Sequence, residues 1–375
     1  MKPRAQVTGW GRCLPERIVT NEDLARVVDT SDEWIRSRTG IAARRIAAAH
    51  ETTASLAIRA GRQALSIAGL PPHTLDLIIV ATATPEHQFP STACLVQDAL
   101  GAAHAAAFDL SAGCTGFIYG LSVAAEMIAA GTYRSVLVIG AETLSRIVNW
   151  KDRNTCVLFG DGAGAVVLQA GSGDGGVLAT TLGADGSGGD LLMIPAGGSK
   201  RPASAASVQK GEHYIQMDGR EVYRFAVRIM VRAARQVTAE AGVALDDVAL
   251  LVPHQANVRI IEAAIKDLGM ARERVYINLQ RYGNTSAASI PIALCEAVEA
   301  GRLQRGDCAV LVGFGAGLTW GAALLRWGVA TPVPPVPRWR RLLHWLGYRL
   351  AALRSLGMRL ARRVDAWLSE PLNGK

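Results

Sequence analysis

LDLIIVATAT (75–84) is an apolar run entered through a single aspartate, and 170 positions later LDDVALLVPH (245–254) begins in the same way. A short apolar run bounded by polar turn residues reads as a strand buried on both faces. SVLVIGAE (135–142), GAVVLQA (164–170) and AVLVGFG (309–315) read likewise, and the stretches 115–131 and 221–242 are helical in pattern. Buried strands alternating with helices place the chain in the α/β class, with helices layered on a mostly parallel core sheet.

The echo continues in order along the chain. Leu100-Gly101 answers Leu268-Gly269, Asp109-Leu110 answers Asn278-Leu279, and Ala130-Gly131 answers Ala300-Gly301. Gly113-Cys114-Thr115 falls opposite Gly283-Asn284-Thr285, again 170 apart, and VLVIGA (136–141) loosely matches AVLVGFGA (309–316). An ordered series at a near-constant offset indicates a duplicated α/β unit. Duplication makes Cys114 and Asn284 pseudo-equivalent, and His254 ends a strand of the second half. All three then lie at strand ends, where open α/β sheets place ligands.

Composition narrows the function classes. The 375 residues are 50% hydrophobic and 19% charged, enough apolar material for a large core and unlike a disordered chain. Net charge is +8, yet residues 331–375 hold nine basic and two acidic residues, leaving 31 basic against 30 acidic in residues 1–330. The body is therefore nearly neutral, and a nucleic-acid reading loses its support. Six scattered cysteines include no C-x-x-C pair and no metal spacing. The opening MKPRAQVTGWGRCLPERIV has no apolar signal-peptide core, so a cytoplasmic setting is expected. Cys308–Leu325 is eighteen uncharged residues long, but Gly313, Gly315, Gly317 and Gly321 divide it into strand, turn and strand rather than a membrane span.

Three residues are candidates for chemistry. Cys114, behind Ser111-Ala112-Gly113, opens a helix, where the dipole and unpaired N–H groups favour a thiolate and can hold an oxyanion; as a bland alternative it is one more small buried side chain. His254, directly after a strand, is either a capped surface residue or a site residue. Asn284, in Tyr282-Gly283-Asn284-Thr285-Ser286, is helix-cap chemistry unless the repeat brings it to the cysteine. GDGAG (160–164) and GFGAG (313–317) lack the G-x-G-x-x-G spacing and helix context of dinucleotide loops.

Six motifs in order, TSDEWIRSRTGI (30–41), SAGCTGF (111–117), LFGDGAGAVVL (158–168), LVPHQAN (251–257), YGNTSAASIP (282–291) and GFGAGLTWG (313–321), resemble β-ketoacyl-acyl carrier protein synthase III of the thiolase-like superfamily, over about Val7 to Trp327. The resemblance implies a thiolase-like duplicated unit in five αβαβα layers, and a homodimer. It divides the chain into an N-terminal half (1–175) with the cysteine, a C-terminal half (176–330) with His and Asn, and a tail (331–375). It implies that Cys114 takes an acyl group from acyl-CoA, a substrate rather than a cofactor. His254 and Asn284 would then polarise the thioester of malonyl-acyl carrier protein as it loses CO2. The oxyanion hole would use the Cys114 N–H and a backbone N–H in the Gly315-Ala316-Gly317 turn, where Ala316 replaces a frequent glycine. Trp34 and Arg153 would flank the CoA adenine, with Thr30 and Arg38 near its phosphates. Phe89 would reach the partner subunit's acyl pocket, and Arg259 and Lys266 would dock the carrier protein, with Asp267 where a second lysine can stand. Arg220 and Tyr223 occupy variable rim positions. No metal and no nucleic acid are implied.

The tail departs from that family. Pro332, Pro334, Pro335 and Pro337 form a stiff spacer. Trp339, Leu342, Leu343, Leu346, Leu350, Leu353, Leu356, Leu360, Val364 and Leu368 then recur at three- and four-residue steps among basic residues, a basic amphipathic helix suited either to a membrane surface or to packing on the body. Two other functions compete with the condensing enzyme. A same-fold acyltransferase would pass the acyl group to an alcohol or amine and would not need His254 and Asn284. A non-catalytic partner subunit that binds carrier protein or membrane would not need Cys114.

Overall fold

The computed structural model describes residues 3–329 and 337–369. The first half runs β1 (Arg4–Cys13), α1 (Asp32–Thr39), α2 (Thr53–Ala68), β2 (Leu77–Ala81), α3 (Thr92–Leu100), β3 (Ala106–Leu110), α4 (Gly116–Ala129), β4 (Ser135–Thr143) and β5 (Asp161–Gly171). The second runs β6 (Gly176–Ala184), α5 (Gly219–Glu240), β7 (Val248–Pro253), α6 (Val258–Leu268), α7 (Ser289–Glu299), β8 (Cys308–Gly315) and β9 (Thr319–Arg326), and α8 (Arg338–Ser369) follows. Pro332, Pro334 and Pro335 lie outside the described residues.

The sheets repeat one another. Sheet one has the order β3-β2-β4-β5-β1 and sheet two the order β7-β8-β9-β6. A parallel bridge from Leu251 to Val275 marks where β3 would recur. Directions match as well: β2–β4 and β7–β8 are parallel, whereas β4–β5, β5–β1, β8–β9 and β9–β6 are antiparallel. The expected mostly parallel sheet is thus mixed. Helices cover both faces of the central strands, so β2, β4, β7 and β8 read as apolar runs whichever way their neighbours point.

The helices supply the layers. α2 and α3 cover the outer face of sheet one, and α5 and α6 that of sheet two, while α4 and α7 lie between the sheets. The outer helix α5 buries Val222, Phe225, Ala226, Ile229, Met230, Ala233, Ala234 and Val237, an i, i+3, i+4, i+7 pattern that makes a one-sided stripe. Its start is fixed by Asp218, whose carboxylate accepts from the N–H groups of Arg220 and Glu221. By contrast α7, SIPIALCEAVE, is buried nearly all round, as a central layer requires. Its one buried acid, Glu296, is held by Arg281, by Tyr282 Oη (2.6 Å) and by Asn278 Nδ2 (3.0 Å).

The repeat is not quite a constant shift. Asp109 and Asn278 are 169 apart, but the 3-10 turns that open α4 and α7, Gly113–Thr115 and Ser286–Ala288, are 173 apart. The difference is one extra helical turn in the second half, Leu279–Tyr282. Cys114 is therefore the counterpart of Ala287, and Asn284 stands three residues before that position. Left-handed φ angles mark the true correspondence: +53° at Gly113 and +48° at Ser286.

Candidate active site

The turn that carries Cys114 is held from three sides. Gly113 takes the left-handed conformation that glycine tolerates. The end of β8 crosses directly above, so close that a Cβ on Gly315 would lie 2.6 Å from the Cys114 nitrogen. Thr115 Oγ1 donates to the Ala112 carbonyl at 2.6 Å and accepts from Thr319 Oγ1 at 2.7 Å, tying β9 to the same turn. The glycines of Gly315–Gly317 thus permit contact between the second-half turn and the nucleophile backbone.

The helix-start location led to the expectation of a thiolate. The structure overturns it. Cys114 is buried ahead of α4, in a 3-10 turn, and burial pushes its thiol up to about 12, against the opposing pull of a hydrogen bond with Ser286. Desolvating a full negative charge outweighs a partial positive helix end. In this state Cys114 is a neutral thiol that gives up its proton as it reacts.

His254 sits at the end of β7, where its N–H continues the ladder to the Val312 carbonyl (2.8 Å). Its ring packs edge-on against Phe314. Nδ1 lies 2.7 Å from Ser289 Oγ, at the first residue of α7, and Nε2 is buried with no protein partner. Burial drives the imidazole down to about 3, so it is neutral near pH 7. The Gln255 N–H points at Ser289 Oγ from 3.5 Å. With Ser289 accepting there and donating its own hydrogen to Nδ1, Nε2 carries the proton and is a free donor.

Asn284 is fixed by its backbone, bonded to Leu158 O and Gly160 N at 2.8 and 2.9 Å. Its Oδ1 accepts from the Ser286 N–H at 2.8 Å, which commits the amide oxygen and leaves Nδ2 as a donor. The turn Ser286–Ala288 packs against Gly113–Thr115, so Asn284, His254 and Cys114 converge where the central helices α4 and α7 begin.

Behind the thiol lies a carboxylate that the sequence reading missed. Glu142, at the end of β4, is fully buried and accepts from Thr84 Oγ1 (2.7 Å), Thr82 Oγ1 (3.2 Å) and the Ala83 N–H (3.1 Å). The Ser286 hydroxyl and the Ala287 N–H also reach it, and burial still raises it to about 7. Ser286 links Cys114 to Glu142 from a left-handed backbone that costs a non-glycine residue on the order of 1 kcal/mol. Gly140 makes room: a Cβ there would fall 2.1 Å from the Ala287 carbonyl oxygen. One acid closing the otherwise uncharged SVLVIGAE was the available signal.

The nucleotide candidates also cluster. Trp34 on α1 has the guanidinium of Arg153 5.2 Å from its ring centre and that of Arg38 at 5.8 Å. Arg153 is anchored to the Asp29 carbonyl at 3.0 Å, and Thr30 Oγ1 is buried without a partner. The end of α1 rests on the start of α6, with Asn257 Nδ2 donating to the Arg38 carbonyl (3.1 Å). Arg259 and Lys266 are exposed on α6, Arg259 over the Tyr223 ring. Phe89 is 87% exposed, far from Cys114's enclosure in kind. Among the described residues no group of three or more His, Cys, Asp or Glu side chains is placed to hold a metal, and no helix is long and apolar enough to cross a membrane.

Family profiles for 3-oxoacyl-[acyl-carrier-protein] synthase III match residues 108–186, and its C-terminal profile matches 238–327. β-Ketoacyl-[acyl-carrier-protein] synthase III of Symbiobacterium thermophilum is 59% identical over 322 residues, covering 86% of this chain and 98% of that one. The chain belongs to the β-ketoacyl-acyl carrier protein synthase III family. The counterpart from Caldanaerobacter subterraneus is 56% identical over 87% of this chain and 98% of its own. The crystal structure of 3-oxoacyl-[acyl-carrier-protein] synthase III from Aquifex aeolicus superposes with a TM-score of 0.80 at 50% identity, covering 86% of this chain and all of that one. The duplicated thiolase-like fold expected from the motifs is the fold found. The C-terminal profile stops at residue 327, short of α8.

Proposed function

We propose that the chain is a 3-oxoacyl-[acyl-carrier-protein] synthase III that condenses an acyl-CoA primer with malonyl-acyl carrier protein and starts acyl chains in fatty-acid synthesis. The observation that carries this reading is a neutral cysteine thiol grouped with two neutral donors: His254 Nε2, buried and left unpaired by the protein, and Asn284 Nδ2, the donor end of an amide whose oxygen is held by the Ser286 N–H. Unpaired buried donors are costly unless a ligand takes them.

The reaction proceeds in two halves. Cys114 sulfur attacks the acyl-CoA carbonyl, the S–CoA bond breaks, and the thiol proton leaves with CoA. Malonyl-carrier protein then loses CO2. The electron pair of the broken C–C bond forms an enolate whose oxygen receives hydrogen bonds from His254 and Asn284. Neutral donors suit this step because charge appears on that oxygen only as the bond breaks. The enolate carbon attacks the acyl carbon on Cys114. The resulting oxyanion is held by the Cys114 N–H and a backbone N–H of the Gly315–Gly317 turn, and its collapse expels the Cys114 thiolate, which takes up a proton from water to replace the one that left with CoA. Ser286 and Glu142 position the sulfur throughout.

Around this centre, Trp34 and Arg153 flank the CoA adenine, with Arg38 and Thr30 at the phosphates. Arg259 and Lys266 receive the acidic carrier protein. Phe89, too exposed for its size, completes the acyl pocket of a second copy in a cytoplasmic homodimer. The halves 1–175 and 176–330 act as one catalytic body, and the basic tail makes peripheral contact with a membrane. The reading is tested by incubating the protein with an acyl-CoA panel, malonyl-carrier protein and an acceptor alcohol or amine. The expected product is 3-oxoacyl-carrier protein with CO2 released; acyl ester or amide without CO2 would identify the same-fold acyltransferase instead.

A further inference from the structure

α8 has two working faces, and only one of them meets the body. It packs along α3 and α2. The Tyr348 ring lies under the Arg62 guanidinium, 4.5 Å from centre to cation. Ala351 fills the space above Gly101, where a Cβ would approach the Ala351 Cβ to 2.6 Å. Ser355 Oγ and Arg359 Nη2 both reach Asp98 Oδ2 at 2.8 Å. These residues recur at steps of three, four and four, one stripe on a helix of 3.6 residues per turn. Between residues 346 and 365 only Tyr348, Ala351 and Ser355 are shielded from solvent.

The opposite stripe is apolar and uncovered. Leu346, Leu350, Leu353, Leu360 and Val364 recur at steps of four, three, seven and four, with Gly357 in the gap, and are between 42% and 66% exposed. Residues 338–369 contain eight arginines and one acid, Asp365. Arg354 and Arg363 flank the stripe on either side, exposed.

We propose that this outward face binds an anionic lipid surface, with α8 lying flat and the body held behind it through the Asp98 clasp. This rests on the membrane contact proposed above and assigns its face and its lipid chemistry. Leucines on one side with arginines along the margins match an interface that is apolar within and negative at its headgroups. A second copy of the helix fits worse, because pairing the leucine stripes would bring two arginine-rich flanks together. No helix among the described residues is long and apolar enough to span a membrane, so the attachment is peripheral.

The test uses the full chain and vesicle flotation. Vesicles of phosphatidylcholine with about one-third phosphatidylglycerol are compared with pure phosphatidylcholine, at low and high salt. Each arginine near an anionic surface strengthens binding about fivefold. The wild-type protein should therefore float with the anionic vesicles at least tenfold better than with neutral ones, and less at high salt. L350E/L353E/L360E should lose at least tenfold in vesicle affinity, and R354E/R363E, with six arginines of the helix left, should bind more weakly and with a smaller dependence on salt. Both should retain condensation with soluble substrates and the same mass by light scattering. Equal flotation of wild type and L350E/L353E/L360E would overturn the proposal. So would a drop in oligomer mass in that variant, which would make the stripe an interface between copies. So would loss of carrier-protein binding by the variant with vesicle binding intact. If condensation is absent in the wild type while flotation behaves as expected, the catalytic reading fails and this one stands.

Discussion

Lowering the pH from about 6.5 to 4.5 should destabilise the native protein by about 2 kcal/mol through His254 alone. The folded imidazole titrates near 3 instead of 6.5, because burial disfavours its charged form. Between those values the unfolded chain binds a proton at this residue that the folded chain refuses. Stability contributed by the neutral ring is thus complete above pH 6.5 and is lost as pH falls, at about 1.4 kcal/mol per pH unit. Other groups titrate in the same range, so the quantity to read is a difference. His254→Asn keeps a side chain able to meet Ser289 and removes the titration. Urea unfolding of both proteins at pH 7 and pH 4.5 should show the wild type losing about 2.5 kcal/mol more than the variant over that interval. Equal losses would mean that His254 takes up its proton in the folded state, and the neutral-donor mechanism would lose its basis.

Ser286→Gly relieves the left-handed backbone but removes the hydroxyl between Cys114 and Glu142; the protein should fold, and acylation by acyl-CoA in a stopped-flow or quenched assay should slow at least tenfold. Gly113→Ala puts a Cβ on a residue at φ +53° and 3.0 Å from the Ala316 nitrogen, and should lower unfolding free energy by about 1–2 kcal/mol in urea titrations. Trp34→Ala with Arg153→Ala should raise KM for acyl-CoA while leaving a short thioester without the nucleotide unaffected, since that thioester lacks the adenine the pair is proposed to flank; equal losses with both donors would remove the nucleotide role.

Much of this was legible in the sequence because burial writes itself into composition. Strands covered on both faces must be apolar throughout, so LDLIIVATAT and SVLVIGAE announced β2 and β4 without help from packing. The same uniformity hid strand direction, since an apolar run is the same read parallel or antiparallel. The repeat located the site but misaligned it by three residues, because the extra turn Leu279–Tyr282 belongs to one half only. The helix-start argument for a thiolate failed for an energetic reason: it counted the dipole and not the desolvation, which depends on what lies around Cys114 in three dimensions. Glu142 stands at the end of β4 whereas Ser286 and Ser289 lie in the turn and helix start of the second half, and no local pattern connects the acid to the two hydroxyls. Only the fold shows that one hydroxyl spans the acid and the thiol, and that another sets the tautomer of His254.

The most direct test of the account is intact-protein mass spectrometry of Cys114 across the two half-reactions, in the wild type and in His254→Ala and Asn284→Ala. Acyl-CoA should add one acyl mass to Cys114 in all three proteins. Malonyl-carrier protein should then discharge it quickly from the wild type and on the order of a hundredfold more slowly from either variant. An adduct on another residue, or variants that cannot be acylated yet still decarboxylate malonyl-carrier protein, would contradict the division of labour between Cys114 and the His254–Asn284 pair.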